Sequence, residues 1–190
     1  MPVELEAKMK VASLDEVKQK LIGAGATHTG DVFEINVFFD TEDRSLLAAD
    51  QGLRLRVNRD EATSKESYIM TYKGPRQHGN LKSREERELE VANMKDAEKF
   101  LDALGYQKVL SFEKRRNKWK LGGCAVELDE LPHLGTYVEV EGPDEASIMN
   151  VRNQIGLTKA PIIKTSYIAM LMNMLQEKGS LDKIVTFAKK

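Results

Sequence analysis

The chain has 190 residues, of which 29 are Lys or Arg and 30 are Asp or Glu, so its formal net charge is -1. This balance argues against general binding to nucleic acid or to a membrane surface, because both favour a basic excess. A single cysteine excludes an intrachain disulfide, and with no bilayer-spanning apolar stretch and no signal-peptide-like N-terminal run we expect a cytoplasmic protein.

The first predicted element is a strand at residues 3–10, in which apolar and charged residues alternate. Its charged face carries Glu4, Glu6, Lys8 and Lys10. The same alternation returns in segments 53–57, 84–91, 126–129 and 138–141. A sheet closed into a barrel would turn all these faces towards one charged lumen, although an open sheet with its charged face in water would show the same pattern.

The other elements follow from periodicity and from turn residues. Seven further strands are predicted at residues 31–40, 53–59, 67–73, 84–92, 108–120, 124–131 and 137–141. Helices with an apolar stripe are predicted at 14–22, 94–104, 145–155 and 166–178, and the connection 41–52 has room for a helical turn. We predict a single domain at residues 1–178. The extension at 179–190 has the apolar spacing of a short helix.

Two pairs of carboxylates lie two residues apart on predicted strands, so each pair points to one side. They are Glu4 with Glu6, and Glu139 with Glu141. Hard divalent cations such as Mg2+ are bound by a few carboxylates together with phosphate oxygens of a substrate. Either pair alone is more often surface patterning, but both pairs in one lumen would favour a metal site.

Basic residues show the same spacing. Arg54 and Arg56 share one strand face, Lys114 and Arg116 share another, and Lys8 lies on the acidic face of its own strand. Guanidinium forks and ammonium groups bind phosphate chains. Segment 114–116 alone would also suit a basic surface patch. A lumen with both signs of charge could hold a polyphosphate anion together with its metal ions.

Taken together, these motifs resemble the CYTH superfamily, whose members are triphosphate tunnel metalloenzymes. The resemblance covers residues 3–175 and rests on Glu4-x-Glu6-x-Lys8, Arg54-x-Arg56, Thr71-Tyr72-Lys73-Gly74-Pro75, Arg84-x-Glu86-x-Glu88-x-Glu90, Lys114-x-Arg116, Glu127-x-Asp129, Leu134-Gly135-x-Tyr137-Val138-Glu139-Val140-Glu141 and Lys164-x-Ser166-Tyr167. Segments 71–75 (Thr-Tyr-Lys-Gly-Pro) and 82–86 (Lys-Ser-Arg-Glu-Glu) are most similar to the corresponding segments of class IV adenylyl cyclases. Segment 34–40 departs from the family, because it reads Glu-Ile-Asn-Val-Phe-Phe-Asp where relatives often carry Gln-x-Asp-x-Tyr-Phe-Asp.

The resemblance implies an α+β fold, in which a closed eight-stranded antiparallel β-barrel forms the triphosphate tunnel and helices pack on the outside. It implies that Mg2+ or Mn2+ is bound by Glu4, Glu6, Glu90, Asp129, Glu139 and Glu141. It implies that triphosphate is bound by Lys8, Arg54, Arg56, Lys73, Lys114, Arg116 and Lys164. The residues that it implies to be catalytic are Glu4, Glu6 and Lys8.

The implied function is a metal-dependent reaction of a triphosphate in the charged lumen. A class IV-type adenylyl cyclase would convert ATP to cyclic AMP and pyrophosphate. The alternatives are a triphosphatase acting on thiamine triphosphate or tripolyphosphate, and a module that binds nucleotide or polyphosphate without turnover. The motif residues suit the cyclase and the triphosphatase alike, whereas the binding module would be favoured by the loss of a metal carboxylate, and none is missing. The sequence leaves open the head group of the substrate, and also whether the chain forms a homodimer.

Overall fold

Alternating residues build eight long strands, and short helices connect them. A computed structural model describes residues 3–188. The barrel strands are β1 (Val3–Val11), β2 (Thr27–Asp40), β3 (Gly52–Asp60), β4 (Glu66–Arg76), β5 (Lys82–Val91), β6 (Gln107–Leu121), β7 (Cys124–Leu131) and β8 (Gly135–Glu141). The helices in the described part of the chain are α1 (Leu14–Gly23), α2 (Ser45–Ala48), α3 (Met94–Ala103), α4 (Glu145–Gln154) and α5 (Tyr167–Glu177).

These eight strands form one closed antiparallel sheet, which confirms the predicted barrel. Their order is β2-β3-β4-β5-β1-β8-β7-β6, and β6 pairs with β2 to complete the ring. Successive side chains point to opposite sides of a strand, so the register decides which inward residues are neighbours. Lys8 lies opposite Glu139, and Arg116 lies opposite Asp129. Charges of opposite sign are therefore brought together inside the barrel.

Three helices cover the outward-facing apolar residues of the barrel. α1 and α4 pack behind β1, β7 and β8 through Val17, Leu21, Ile148 and Val151, together with Ile155 directly after α4. α3 covers β2 and β3 through Leu101, which packs with Val37 and Leu55. Each buried aliphatic side chain stabilises the fold by roughly 1.5–3 kcal/mol. The helices thus hold the sheet closed around its charged interior.

The fifth helix packs in a different place. α5 joins a core whose buried barrel residues are Leu110, Phe112, Leu131 and Tyr137. These residues have the same inward-facing parity as the charged residues of β6, β7 and β8. α5 therefore fills one end of the lumen with apolar side chains instead of lying on the outer wall. None of the helices within residues 3–188 is long and apolar enough to cross a membrane.

The short helix predicted for the extension at residues 179–190 is wrong over the part that the structure describes. Ile184–Val185 forms a strand, β9, that pairs in parallel with Ser111 and Phe112 of β6. β7 pairs with β6 only from Arg115 onwards, which leaves the first half of β6 with an open edge. Residues 184–185 pair with this open edge and form a strand, although the apolar residues of the extension have the spacing of a helix. Residues 189 and 190 lie outside the described residues, and the domain boundary after residue 178 stays a prediction.

Two strands extend further than expected. β2 begins at Thr27, before its predicted start at residue 31, and β4 continues through Gly74 and Pro75, where it was expected to stop. The pairing of β4 with β5 is irregular between Lys73 and Arg76. Proline has no N–H to donate to a ladder and is tolerated at such an irregularity. The extension brings Arg76 onto the cavity wall described below.

The docking of β9 predicts different effects for its two residues. Val185 is 3% exposed and Ile184 is 69% exposed. Val185→Ala should lower the free energy of unfolding by about 1–3 kcal/mol, because it removes buried methyl groups and leaves a cavity. Ile184→Ala is the matched control and should change it by less than about 0.5 kcal/mol. Urea unfolding of both variants checks this, and equal effects of the two would contradict the docked strand.

Candidate active site

The lumen contains a cavity of about 670 Å3 with walls from most barrel strands and from α5. The charged residues that line it include Glu4, Glu6, Lys8, Arg54, Arg56, Lys73, Lys82, Arg84, Glu86, Glu88, Lys114, Arg116, Glu127, Glu139, Glu141 and Lys164. This set includes all the residues predicted to bind triphosphate and four of the six predicted to bind metal. The two exceptions are Glu90 and Asp129.

The acidic side of the cavity is formed by β1, β7 and β8, and its carboxylates face cations of the same lumen. Lys82 Nζ lies 2.9 Å from a Glu6 oxygen, and Lys8 Nζ lies 3.7 Å from the same oxygen. Lys8 also pairs with Glu139 at 3.3 Å, and Arg116 donates to Glu139 at 2.5 Å. Each of these two buried carboxylates thus has two cationic partners, which offset the cost of burying its charge.

These carboxylates are also close enough to repel one another. Burial raises the pKa of Glu6, and the negative charge of Glu139 raises it further. Burial raises the pKa of Glu141 to about 7, with added contributions from Glu4, Glu127 and Glu6. A bound cation would relieve this repulsion, because it favours the charged form of every carboxylate near it.

The donor set fits a hard divalent cation in chemistry, although its present arrangement does not form a ready site. Within residues 3–188 no three acidic, His or Cys side chains are positioned to hold a metal ion as they stand. Lys and Arg groups occupy the places beside Glu6 and Glu139 instead. Glu4 Oε2 is buried and accepts no hydrogen bond from the described residues, and Lys73 Nζ lies 3.8 Å from it. Oxygen ligands of this kind suit Mg2+ and Mn2+.

The basic side is formed by β3, β4 and β6. Arg54 Nη2 donates to Thr71 Oγ1 at 2.9 Å, and Arg56 Nε donates to Asn36 Oδ1 at 2.9 Å. Burial lowers the pKa of Arg54 to about 10, and the positive charge of Arg56 lowers it further. Burial likewise lowers the pKa of Lys73 to about 8, with a contribution from Arg54. Crowded, desolvated cations of this kind are stabilised by an anion.

Asp129 was predicted to bind metal, but its contacts are those of a fixed counter-ion. It is fully buried, and Arg116 donates to its two oxygens at 2.7 and 2.6 Å. Lys114 Nζ and the Tyr167 hydroxyl donate to the second oxygen at 3.4 and 3.0 Å. With these donors in place, Asp129 positions the basic residues of β6, and we assign it that role in preference to metal binding.

Glu34 is a second buried counter-ion, and sequence reasoning did not select it. Its carboxylate is fully buried and lies 3.0 Å from Lys114, 3.3 Å from Arg56 and 3.6 Å from Arg116. Burial alone would raise its pKa, but Arg56, Lys114 and Arg116 more than offset this and hold the pKa well below 4.5. The sequence feature that could have drawn attention to Glu34 is its position in segment 34–40, where the sequence departs from the family pattern.

Two other predicted residues lie away from the centre. Glu90 is exposed near the end of β5, opposite Ile69, and does not belong to the cavity wall. Lys164 is exposed at the rim of the cavity, where its ammonium group donates to the carbonyl oxygen of Gly79 at 2.6 Å. Lys164 can still reach a ligand in the cavity, whereas Glu90 is poorly placed for a metal in the lumen.

Several wall residues were missed as individual site residues. Lys82 lies beside Glu6 and precedes the strand predicted from residue 84, whereas β5 begins at Lys82. Arg84 and Glu86 stood in a quoted motif without an assigned role. Tyr167 lies with its ring centroid 4.0 Å from Lys8 Nζ, a cation–π contact that helps to fix this ammonium group. Only the strand register and the position of α5 reveal these contacts.

The barrel and its paired internal charges define the class of this protein. The sequence profile of the CYTH domain matches residues 3–160. The chain therefore belongs to the CYTH domain family. Among curated proteins it is similar to adenylate cyclase CyaB of Aeromonas hydrophila, with 28% identity over 177 residues that cover 86% of each chain.

Solved structures share the fold. A Pyrococcus horikoshii OT3 protein superposes with a TM-score of 0.77 and 24% identity, over 90% of this chain and 99% of that one. A candidate adenylyl cyclase from Hippeastrum, described as having a dominant triphosphatase activity, superposes with a TM-score of 0.65 and 18% identity. That match covers 94% of this chain and 97% of the Hippeastrum chain. At these identities the likeness concerns the fold alone.

The position of Glu34 predicts a pH-dependent stability. Because its pKa is lowered in the folded state, Glu34 stabilises the fold above its ordinary pKa of 4.5, and this contribution is lost as the pH falls towards the lowered value. Glu34→Gln should therefore lower the free energy of unfolding by roughly 3–5 kcal/mol at neutral pH. The difference from wild type should shrink as the pH falls below the ordinary value.

Urea unfolding across a pH series measures this difference. The matched control is Glu130→Gln, which removes an exposed pair with Arg115 at 3.2 Å and should cost less than about 1 kcal/mol. A Glu34→Gln variant with the same small effect as the control, or with a difference that grows at acidic pH, would contradict the role of Glu34 as a buried counter-ion.

Proposed function

We propose that the chain is a metal-dependent enzyme that acts on a triphosphate in the lumen, most specifically an adenylyl cyclase that converts ATP to cyclic AMP and pyrophosphate. The observation that carries this proposal is the convergence of buried Lys and Arg groups whose counter-ions are carboxylates of the same cavity. Membership of the CYTH family and similarity to the Aeromonas adenylate cyclase support it.

Substrate binding in this proposal exchanges ion-pair partners. A triphosphate presents several charged oxygens, and these take the place of carboxylates around Lys8, Lys82 and Arg116. Charge-assisted hydrogen bonds to phosphate oxygens are strong, and guanidinium groups bind them in a bidentate manner. The carboxylates released by this exchange then become available as metal ligands. Triphosphate and metal are thus bound by groups that neutralise one another in the free protein.

The carboxylates assigned to the metal are Glu4, Glu6, Glu139 and Glu141. A bound Mg2+ or Mn2+ would supply Lewis-acid stabilisation of charge on the phosphate oxygens. Lys and Arg groups of the chain would provide the remaining electrostatic stabilisation of the triphosphate. Arg54, Arg56 and Lys114 hold the triphosphate along the basic side and stabilise the charge that develops on the leaving group. Glu34 and Asp129 keep Arg56 and Lys114 in place before the substrate arrives, and Thr71 and Glu88 hold Arg54.

In the cyclase reaction, the ribose 3′ oxygen attacks the α phosphorus and pyrophosphate leaves. A triphosphatase is the second candidate, in which water attacks the terminal phosphorus of an organic triphosphate or of tripolyphosphate. The specific observation in its favour is the shared fold with the Hippeastrum protein, which has a dominant triphosphatase activity. Both reactions use the same cation cluster and differ in which phosphorus faces the nucleophile.

Product analysis tests this proposal. The chain is incubated with ATP, thiamine triphosphate or tripolyphosphate, each with Mg2+ or Mn2+, and the products are separated. Cyclic AMP with pyrophosphate supports the cyclase, and release of inorganic phosphate supports the triphosphatase. Binding of all three compounds without any product would contradict an enzyme and leave a binding module.

Glu6→Gln should reduce turnover by roughly 100-fold or more, because it removes one charge from the acidic cluster at the site of the reaction. The matched control is Glu90→Gln, since Glu90 is exposed outside the cavity wall. We expect the control to keep wild-type activity in the same product assay. Undiminished turnover by Glu6→Gln, or equal losses in both variants, would count against the lumen as the active site.

A further inference from the structure

We propose that Tyr167 is a positioning residue for Lys8. Its ring and the carbonyl oxygen of Thr165 keep the Lys8 ammonium group in the lumen while the anion beside that group changes from a carboxylate to a phosphate oxygen. We call these two uncharged groups the neutral contacts of Lys8. This inference rests on the proposed function and adds to it a residue that holds one of the triphosphate-binding cations.

The segment that leads into α5 holds Lys8 at both ends. The backbone N–H of Ile163 donates to the carbonyl oxygen of Lys8 at 2.8 Å. The Lys8 ammonium group donates to the carbonyl oxygen of Thr165 at 3.1 Å, and it lies 4.0 Å from the centroid of the Tyr167 ring. This segment follows residues 3–160, which the CYTH profile matches. The position of Lys8, which is 1% exposed, therefore depends on a part of the chain beyond the matched residues.

The contacts of the Lys8 ammonium group are of two kinds. Glu139 and Glu6 are charged partners at 3.3 and 3.7 Å, and in the proposed function phosphate oxygens replace them. The neutral contacts have no charge that an incoming anion would repel. An ammonium group has three N–H donors, so it can keep its hydrogen bond to Thr165 while the other two donors change acceptor. The face of an aromatic ring also stabilises a desolvated cation. Lys8 can therefore change its anionic partner and stay against the ring.

Tyr167 is itself fixed in place and uncharged. Its hydroxyl donates to Asp129 Oδ2 at 3.0 Å, and its ring meets the ring of Tyr137 edge to face, with centroids 5.3 Å apart. Leu171, one turn further along α5, is fully buried in the same core. Burial and the negative charge of Asp129 raise the pKa of Tyr167 well above its ordinary value of 10, so the hydroxyl stays protonated. The ring thus provides a rigid neutral surface for the Lys8 cation.

Two substitutions separate the ring of Tyr167 from its hydroxyl. Tyr167→Phe keeps the ring beside Lys8 and removes the hydrogen bond to Asp129, whereas Tyr167→Leu removes both. Without the ring, Lys8 is drawn towards Glu139, and triphosphate must compete with a tighter ion pair. In calorimetric titration with tripolyphosphate in metal-free buffer, Tyr167→Leu should bind roughly 5- to 30-fold more weakly than wild type. Tyr167→Phe should bind within about twofold of wild type.

The matched control for the packing of α5 is Met174→Ala. Met174 packs in the same core but does not line the cavity, so its loss should leave tripolyphosphate affinity within about twofold of wild type. Equal losses in Tyr167→Leu and Met174→Ala would assign the effect to the packing of α5. Equal losses in Tyr167→Leu and Tyr167→Phe would assign it to the hydroxyl. Either result would overturn the inference.

A measurement on the wild-type chain covers the case in which a variant does not fold. Protons above the face of an aromatic ring resonate upfield in NMR spectra. The ε protons of Lys8 should therefore resonate upfield of those of Lys99, whose side chain is 69% exposed. This upfield shift should persist when tripolyphosphate is bound in metal-free buffer, because the ammonium group stays against the ring.

Two results in the wild-type chain would contradict different parts of the account. Loss of the upfield shift when tripolyphosphate binds would overturn the positioning role of Tyr167 and leave the proposed function intact. Failure to bind tripolyphosphate at all would overturn the proposed function and this inference with it. Calorimetry and NMR on the same sample distinguish the two failures.

Discussion

Buried charges need partners, and this requirement governs the rest of the structure. Lys8, Lys114 and Glu34 are almost completely removed from solvent, and an isolated charge at such depth would be strongly destabilising. Each of them faces an opposite charge on a neighbouring strand. Such pairs contribute little net stability compared with apolar packing, because desolvation offsets much of their attraction. A barrel interior built from them is better explained by what it binds than by the stability that it provides.

The apolar side of the same strands provides the stability that the lumen does not. Alternation places charged residues inside and aliphatic residues outside, and α1, α3 and α4 cover the outside. α5 is the exception, because it enters at an end of the lumen where the inward-facing residues become apolar. The Tyr167 hydroxyl and ring then contact Asp129 and Lys8. One helix thus connects the apolar core to the charged network.

Local alternation was enough to predict much of the fold, because period-two patterning fixes which residues share a strand face. Parity alone predicted that Glu4 and Glu6 share one strand face and that Arg54 and Arg56 share another, and the structure places all four in the lining of one cavity. Features set by pairing between distant segments were not predictable in this way. Glu34 became a counter-ion only through the register of β2 with β6, and β9 formed only because β6 has an open edge there. Asp129 and Glu90 show the same limit, since parity does not distinguish a buried counter-ion or an exposed strand end from a metal ligand.

We propose that triphosphate replaces carboxylates as the partner of the internal Lys and Arg groups, and that metal replaces those groups as the partner of the carboxylates. The most direct test is the affinity of the protein for Mn2+ with and without tripolyphosphate. Tripolyphosphate binds Mn2+ itself, so calorimetry must be corrected for that equilibrium. If the anion draws Lys8, Lys82 and Arg116 away from the carboxylates, the protein should bind Mn2+ roughly 5- to 150-fold more tightly in its presence. By reciprocity, Mn2+ should tighten tripolyphosphate binding by the same factor. An Mn2+ affinity that is unchanged or weaker when tripolyphosphate is bound would contradict the exchange.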